Sequence, residues 1–155
     1  MQDVILTKYY HFYAAHRNQL LIDKCKNLHG HTYMVTVKLG FDVKDDGVSM
    51  LFSIADSFID PIINKLDHST LVAQEDQALI EVCTKYPDIF GKVIELPFIS
   101  TSLELLGFYL WLLLEKPFKD SLLEIEIKET LSSSITIDKN MVKGLKNKTK
   151  IITLY

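Results

Sequence analysis

The chain has 155 residues, enough for a single core that buries roughly two-thirds of its unfolded surface with no disulfide framework or structural metal. Its 48% hydrophobic and 24% charged content is that of an ordinary globular protein, not of a disordered or fibrous one. With 17 basic against 20 acidic side chains there is no global field for nucleic acid, and the longest apolar run, Leu105 to Leu114, falls short of the roughly 20 residues that span a bilayer.

Met1 to Lys8 lacks the basic segment and apolar core of a signal peptide, and the two cysteines, Cys25 and Cys83, sit in unlike surroundings. These features predict one domain over residues 1–155 in the cytoplasm, with free thiols and no membrane partner.

Val4 to Ala15 alternates as a strand, with Val4, Leu6, Tyr10, Phe12, Ala14 and then His16 on one face. His11 has the opposite parity and is excluded from any site that uses His16. Arg17 to Leu28 is polar and aperiodic, a loop. His31 to Val43 reads as a second strand, followed by a turn at Asp45-Asp46-Gly47. In His29-Gly30-His31 the two imidazoles lie one residue apart, so on a strand they share a face. With His16 they supply the three nitrogens of a zinc site whose fourth position stays open. Cys25 either closes that site as a fourth ligand or stays off the metal as a reactive thiolate.

From Ser53, taken as N-cap, Ile54, Phe58, Ile62 and Leu66 recur at helical spacing, with Pro61 predicted to kink or split the helix before Asp67-His68-Ser69. A shorter helix follows from Glu75 to Lys85, with Cys83 as a packing residue, and then a strand from Lys92 to Ile99. Thr101 and Glu104 have capping-box spacing ahead of an apolar helix, Leu103 to Lys116, that Pro117 is expected to stop. Leu122 to Thr130 alternates and puts Glu129 on the apolar face with Leu123, Ile125 and Ile127, an unusual place for a carboxylate unless a lysine pairs with it. Ser133 to Ile137 returns as a strand. Residues 139–155 form an extended basic tail without the interleaved aromatics of a nucleic-acid surface.

Phe12-Tyr13-Ala14-Ala15-His16, Cys25-x-x-x-His29-Gly30-His31-x-Tyr33, Leu66-Asp67-His68 and Lys128-Glu129-Thr130, in that order, resemble the motifs of the 6-pyruvoyl-tetrahydropterin synthase family. The three-residue gap before the paired histidines is similar to the 6-carboxy-tetrahydropterin synthase branch, which serves queuosine biosynthesis. The resemblance implies an α+β tunnelling fold (T-fold): an antiparallel four-stranded sheet with two main helices on one face, joined into an oligomeric barrel of trimers or hexamers with sites between subunits.

It further implies Zn²⁺ on His16, His29 and His31, with Cys25 as catalytic thiol, made acidic by the metal and by Lys24 and Lys26. Asp67 and His68 would be a proton-exchanging pair, and Glu129 would anchor a pterin triphosphate substrate. Arg17, Lys24 and Lys26 are candidate phosphate contacts. The implied activity is conversion of 7,8-dihydroneopterin triphosphate to 6-carboxytetrahydropterin, with a pyruvoyl synthase or a non-catalytic pterin- or zinc-binding protein as alternatives. The chain departs from the family in Leu51, where an acid is usual, and in Thr101-Ser102-Leu103-Glu104-Leu105, where Pro-Thr-x-Glu-Asn is usual.

Overall fold

The computed structural model describes residues 2–148 and 150–152. Two long strands, β1 (Val4–His16) and β2 (His29–Phe41), pair antiparallel along their whole length, from Val4 opposite Phe41 to His16 opposite His29. Alternation does what the sequence predicts: Phe12, Ala14 and His16 on β1 and Tyr33, Val35, Val37 and Leu39 on β2 are buried. His11 is exposed. The edge of β2 binds β5 (Leu122–Thr130), which binds β6 (Ser133–Asp138), both antiparallel.

The sheet is six-stranded and mixed, not four-stranded and antiparallel, in the order β4-β3-β1-β2-β5-β6. The added strands are β3 (Ser69–Ala73), parallel to β1 over Ala14 and Ala15, and β4 (Lys92–Leu96), parallel to β3. All five residues of β3 are buried, so it has none of the alternation that marks a half-exposed strand. Between β3 and β4, α2 (Gln77–Lys85) and α3 (Pro87–Phe90) build a satellite core of Val72, Leu79 and Cys83, which agrees with a packing role for that cysteine.

Two main helices, α1 (Phe52–Leu66) and α4 (Leu103–Phe118), contribute to one core with the sheet. On α1 the buried stripe is Ala55, Ile59, Ile63 and Leu66, one residue over from the predicted one, and Ile54 and Phe58 are more than two-fifths exposed. Pro61 does not split α1. It and Ser57 both face solvent, so the carbonyl deprived of its donor stays in reach of water while Ile59 and Ile63 hold the flanking turns in the core. The N-cap is Leu51, with no side-chain bond, and Ser53 lies inside the helix.

Pro117 likewise does not stop α4, which continues to the buried Phe118 and ends at Lys119 with φ of 50°. Gly107 lets α4 approach β5 and β6, since a Cβ there would meet Ile127 and Ile137 side-chain atoms at 3.2 Å. The predicted basic tail is in part a helix, α5 (Lys139–Lys146), capped by Asp138 and held to the core through Val142 and Leu145. Residues 149 and 153–155 of that tail lie outside the described residues, as does Met1.

Candidate metal centre

The antiparallel register brings three histidines together. His16 closes β1 opposite His29, and Ala14 stands opposite His31, so two strand ends place three rings on the core side of the sheet. Ring centroids are 4.7 Å apart for His16 and His29, 5.2 Å for His16 and His31, and 4.8 Å for His29 and His31. One nitrogen from each ring lies within 4.8 Å of the others.

Hydrogen bonds at the far side of two rings fix which nitrogen is free. His16 Nδ1 donates to the Thr101 carbonyl at 2.9 Å, and His29 Nδ1 donates to the Asn27 carbonyl at 2.6 Å. In the neutral ring each Nε2 is thereby the nitrogen left with a free lone pair, the form that binds a metal. Nε2 of His16 is buried with no hydrogen-bond partner among the described residues. Burial, helped by the neighbouring His29 and His31 and opposed by the Thr101 bond, pushes the His16 pKa down to about 4, so the ring stays neutral near pH 7. An orphaned buried nitrogen, two fixed tautomers and a three-imidazole donor set fit Zn²⁺.

Glu129 faces this cluster from β5. Its Oε2 is 3.9 Å from His31 Nε2 and 4.0 Å from His16 Nε2. Lys128, the adjacent base, is instead 3.5 Å from Glu126. Cys25 sits on a single 3-10 turn, Lys24–Lys26, whose start is capped by Asp23. It lines a cavity of about 570 Å³ together with His16, His29, Glu104 and Glu129, but it is not part of the three-histidine cluster. The expected acidification by nearby lysines does not prevail: partial desolvation and the carboxylates of Asp23 and Glu129 raise the thiol pKa against a smaller opposing pull from Lys24.

Asp67 and His68 are brought together, though not into that cavity. Asp67 Oδ2 accepts from His68 Nδ1 at 2.8 Å, while Oδ1 accepts from the Tyr13 N–H at 2.8 Å. Those two bonds, the backbone one first, hold the Asp67 carboxyl below its usual range. His68 takes a left-handed φ of 55°, and its N–H donates to the Tyr13 carbonyl at 2.6 Å. Its ring packs edgewise on Tyr13 and lines a shallow depression with Gly30, His31 and Thr32. Tyr13 and His16 have opposite parity on β1, so the His68 ring, packed on the Tyr13 ring, lies on the other face of that strand from the His16 ring.

At three positions the structure departs from the reading of the sequence, in which Glu104 matches another family acid but is explained by its capping-box position. Thr101 is not half of a capping box: Ser102 caps α4, and the Thr101 hydroxyl donates to the Arg17 carbonyl at 2.8 Å. Glu104, freed from that box, lines the cavity. Arg17, a candidate phosphate contact, has its guanidinium committed to Asp76 through Nε at 2.7 Å and through a second nitrogen.

Residues 5–140 match the family model described as 6-pyruvoyl tetrahydropterin synthase. The chain belongs to that family. It is similar to the 6-pyruvoyl tetrahydrobiopterin synthase of Dictyostelium discoideum, 31% identical over 140 residues, 82% of this chain and 90% of the relative. It is also similar to the 6-carboxy-5,6,7,8-tetrahydropterin synthase of Haemophilus influenzae, 28% identical over 108 residues, 66% of this chain and 77% of that one. Among solved structures, Plasmodium falciparum 6-pyruvoyl tetrahydropterin synthase superposes with a TM-score of 0.69 at 20% identity, covering 90% of this chain and 99% of the other. An uncharacterised Wolinella succinogenes protein gives 0.75 at 18% identity over 88% and 98%. At those identities the structures establish the fold, the α+β T-fold. No helix among the described residues is long and apolar enough to cross a membrane.

Proposed function

We propose that this pterin synthase family member is a zinc-dependent lyase that converts 7,8-dihydroneopterin triphosphate and water into 6-carboxy-5,6,7,8-tetrahydropterin, acetaldehyde and triphosphate. Its main support is the convergence of three imidazole nitrogens beside a thiol-lined cavity. Zinc held by His16, His29 and His31 would supply Lewis-acid polarisation of the substrate's side-chain hydroxyls.

The chain's own groups do the rest. Glu129 anchors the pterin, its carboxylate accepting from the ring amino group and the neighbouring N–H, with the substrate side chain directed at the histidines. Cys25 Sγ, as thiolate, takes a proton from that side chain. Its raised resting pKa means that the thiolate form depends on the loaded site. His68, whose Nδ1 is occupied by Asp67, exchanges a proton at Nε2. Since His68 lies across β1 from Cys25, it serves the cavity of a neighbouring copy, which calls for a homo-oligomeric barrel, trimer or hexamer. A cytoplasmic setting keeps Cys25 reduced, and the product would enter queuosine-precursor synthesis.

A second reading, a pyruvoyl synthase that stops after elimination and isomerisation, is favoured by the greater length and identity of the match to the Dictyostelium relative. The short gap between Cys25 and His29 favours the carboxy branch. Mass analysis of the pterins, with trapping of acetaldehyde, after incubation of the zinc-loaded protein with dihydroneopterin triphosphate separates them. Acetaldehyde with carboxytetrahydropterin is the expected result. A pyruvoyl product selects the second reading, and tight pterin binding without turnover leaves a binding protein.

A further inference from the structure

A chain of buried and half-buried polar contacts runs from the histidine cluster to α2 and has no part in the proposed chemistry. Thr101 is fully buried. Its carbonyl accepts from His16 Nδ1 at 2.9 Å, and its Oγ1 donates to the Arg17 carbonyl at 2.8 Å. The Arg17 guanidinium grips both oxygens of Asp76, which is 3% exposed. Asp76 Oδ1 in turn accepts from the Leu79 N–H at 3.2 Å and so caps α2.

We propose that Thr101, Arg17 and Asp76 act as a positioning relay for His16, locking its Nδ1–H on the Thr101 carbonyl so that Nε2 points at a metal ion shared with His29 and His31. The relay rests on the metal reading above only for the identity of what His16 is aimed at.

His16 needs such a device more than its two partners do. It is the last residue of β1, and the ladder with β2 ends at the pair His16 and His29. Beyond it the chain leaves the sheet for the long loop of residues 17–28, which is closed on itself by the Asn18 N–H on the Cys25 carbonyl at 2.9 Å and reaches the segment before Thr101 through Gln19 Nε2 on the Ile99 carbonyl at 2.8 Å. His31 sits within β2, and His29 is held by the carbonyl two residues before it. For His16 the equivalent carbonyl comes from a residue 85 positions away, so two distant segments must be held in register. The Thr101 hydroxyl ties its segment to Arg17, and Asp76 fixes Arg17 in both distance and plane, because a bidentate fork leaves neither free. An ion pair whose carboxylate is buried returns little net stability against its desolvation, so its use here is better matched to specifying one geometry than to strengthening the fold.

The test uses the whole 155-residue chain and two readouts. In the metal-free protein, long-range proton–nitrogen correlations of the His16 ring should show the Nδ1–H tautomer alone. Thr101→Val and Asp76→Asn should each convert it to a mixture, and Thr101→Ser should restore it. Asp76→Asn keeps an oxygen for the α2 cap, so it is the variant to rely on if Thr101→Val folds poorly.

In chelator competition the same two variants should bind zinc about 10–100-fold more weakly than the parent. Asp56→Asn removes a carboxylate that joins α1 to β1 through Lys8 and Tyr10, and it serves as the control for general loosening. An unchanged tautomer and unchanged affinity in both relay variants, or an equal loss in Asp56→Asn, would overturn the relay. A tautomer change in a protein whose parent takes up no zinc would uphold the relay and remove the metal reading instead.

Discussion

Oε2 of Glu129 stands 3.9 Å from Nε2 of His31, so the carboxylate on the apolar side of β5 looks at the histidine cluster and not at a lysine. A pterin held by Glu129 would carry its side chain toward those nitrogens. Glu129→Gln should therefore weaken substrate binding more than turnover. Hydrogen bonds to a charged group contribute about 1.5–3 kcal/mol, so KM should rise by about 10–100-fold. Steady-state kinetics would check it, and an unchanged KM would remove Glu129 from the pterin site.

The separation of Cys25 from the Asp67/His68 pair predicts complementation between copies. Cys25→Ala and His68→Ala should each lower turnover by about 10²–10⁴-fold when assembled alone, as loss of a proton-transfer group does. Assembled together at random, about a quarter of the sites would join an intact Cys25 to an intact His68, and activity should return to that level if the site is shared between subunits. No recovery in verified mixed assemblies would mean that each chain serves its own site.

Lys92 Nζ donates to the carbonyls of Asn64 at 2.8 Å and Asp67 at 2.7 Å, which closes the C-terminus of α1 and fixes the peptide leading into the left-handed His68. Lys92→Met should lower kcat, by up to about 100-fold if the His68 ring is displaced by an ångström, with KM little changed. Lys92→Arg should recover much of that loss. Equal effects of both variants on kcat and KM would reduce Lys92 to a stability role.

Acid should destabilise the fold through Asp76. Burial alone would raise its pKa, yet the Arg17 bonds and the Leu79 N–H outweigh it and leave the folded value below the ordinary one. A carboxylate with a depressed folded pKa contributes its stability above the unfolded value of about 3.9 and loses it as pH falls through the folded value. The contribution of Asp76 should thus be constant above about pH 5 and be lost below about pH 4, on top of a shallower decline from about pH 6.5 as His16, neutral in the fold with its pKa lowered to about 4, comes to favour the unfolded chain. Asp76→Asn should melt lower at neutral pH but fall less steeply in acid. An acid slope identical to the parent's would show that the pair is not what titrates.

Much of this arrangement was legible from residues alone, because it rests on strand parity. His16, His29, His31 and Glu129 all lie on elements with period-two alternation, and parity predicts their shared side of the sheet. What escaped is what parity does not encode. β3 is buried on every residue, so it carries no alternation to read. The α1 stripe is displaced by one position because Ala55 is buried while the larger Ile54 and Phe58 are not, and an apolar pattern gives weight to size. Both prolines carry a helix-breaking meaning in the local sequence, yet Ile59 and Ile63 around Pro61 and Phe118 beyond Pro117 have enough packing to carry the helices through. The contact of His16 with Thr101 joins segments 85 residues apart, beyond the reach of any local pattern.

The most direct measurement is the zinc X-ray absorption spectrum of the loaded protein. The account predicts nitrogen and oxygen neighbours at about 2.0–2.1 Å from three imidazoles and a light-atom ligand, with no sulfur, leaving Cys25 free as a base. A sulfur neighbour at about 2.3 Å would make Cys25 a fourth ligand and the centre a closed structural one, contradicting the proposed lyase.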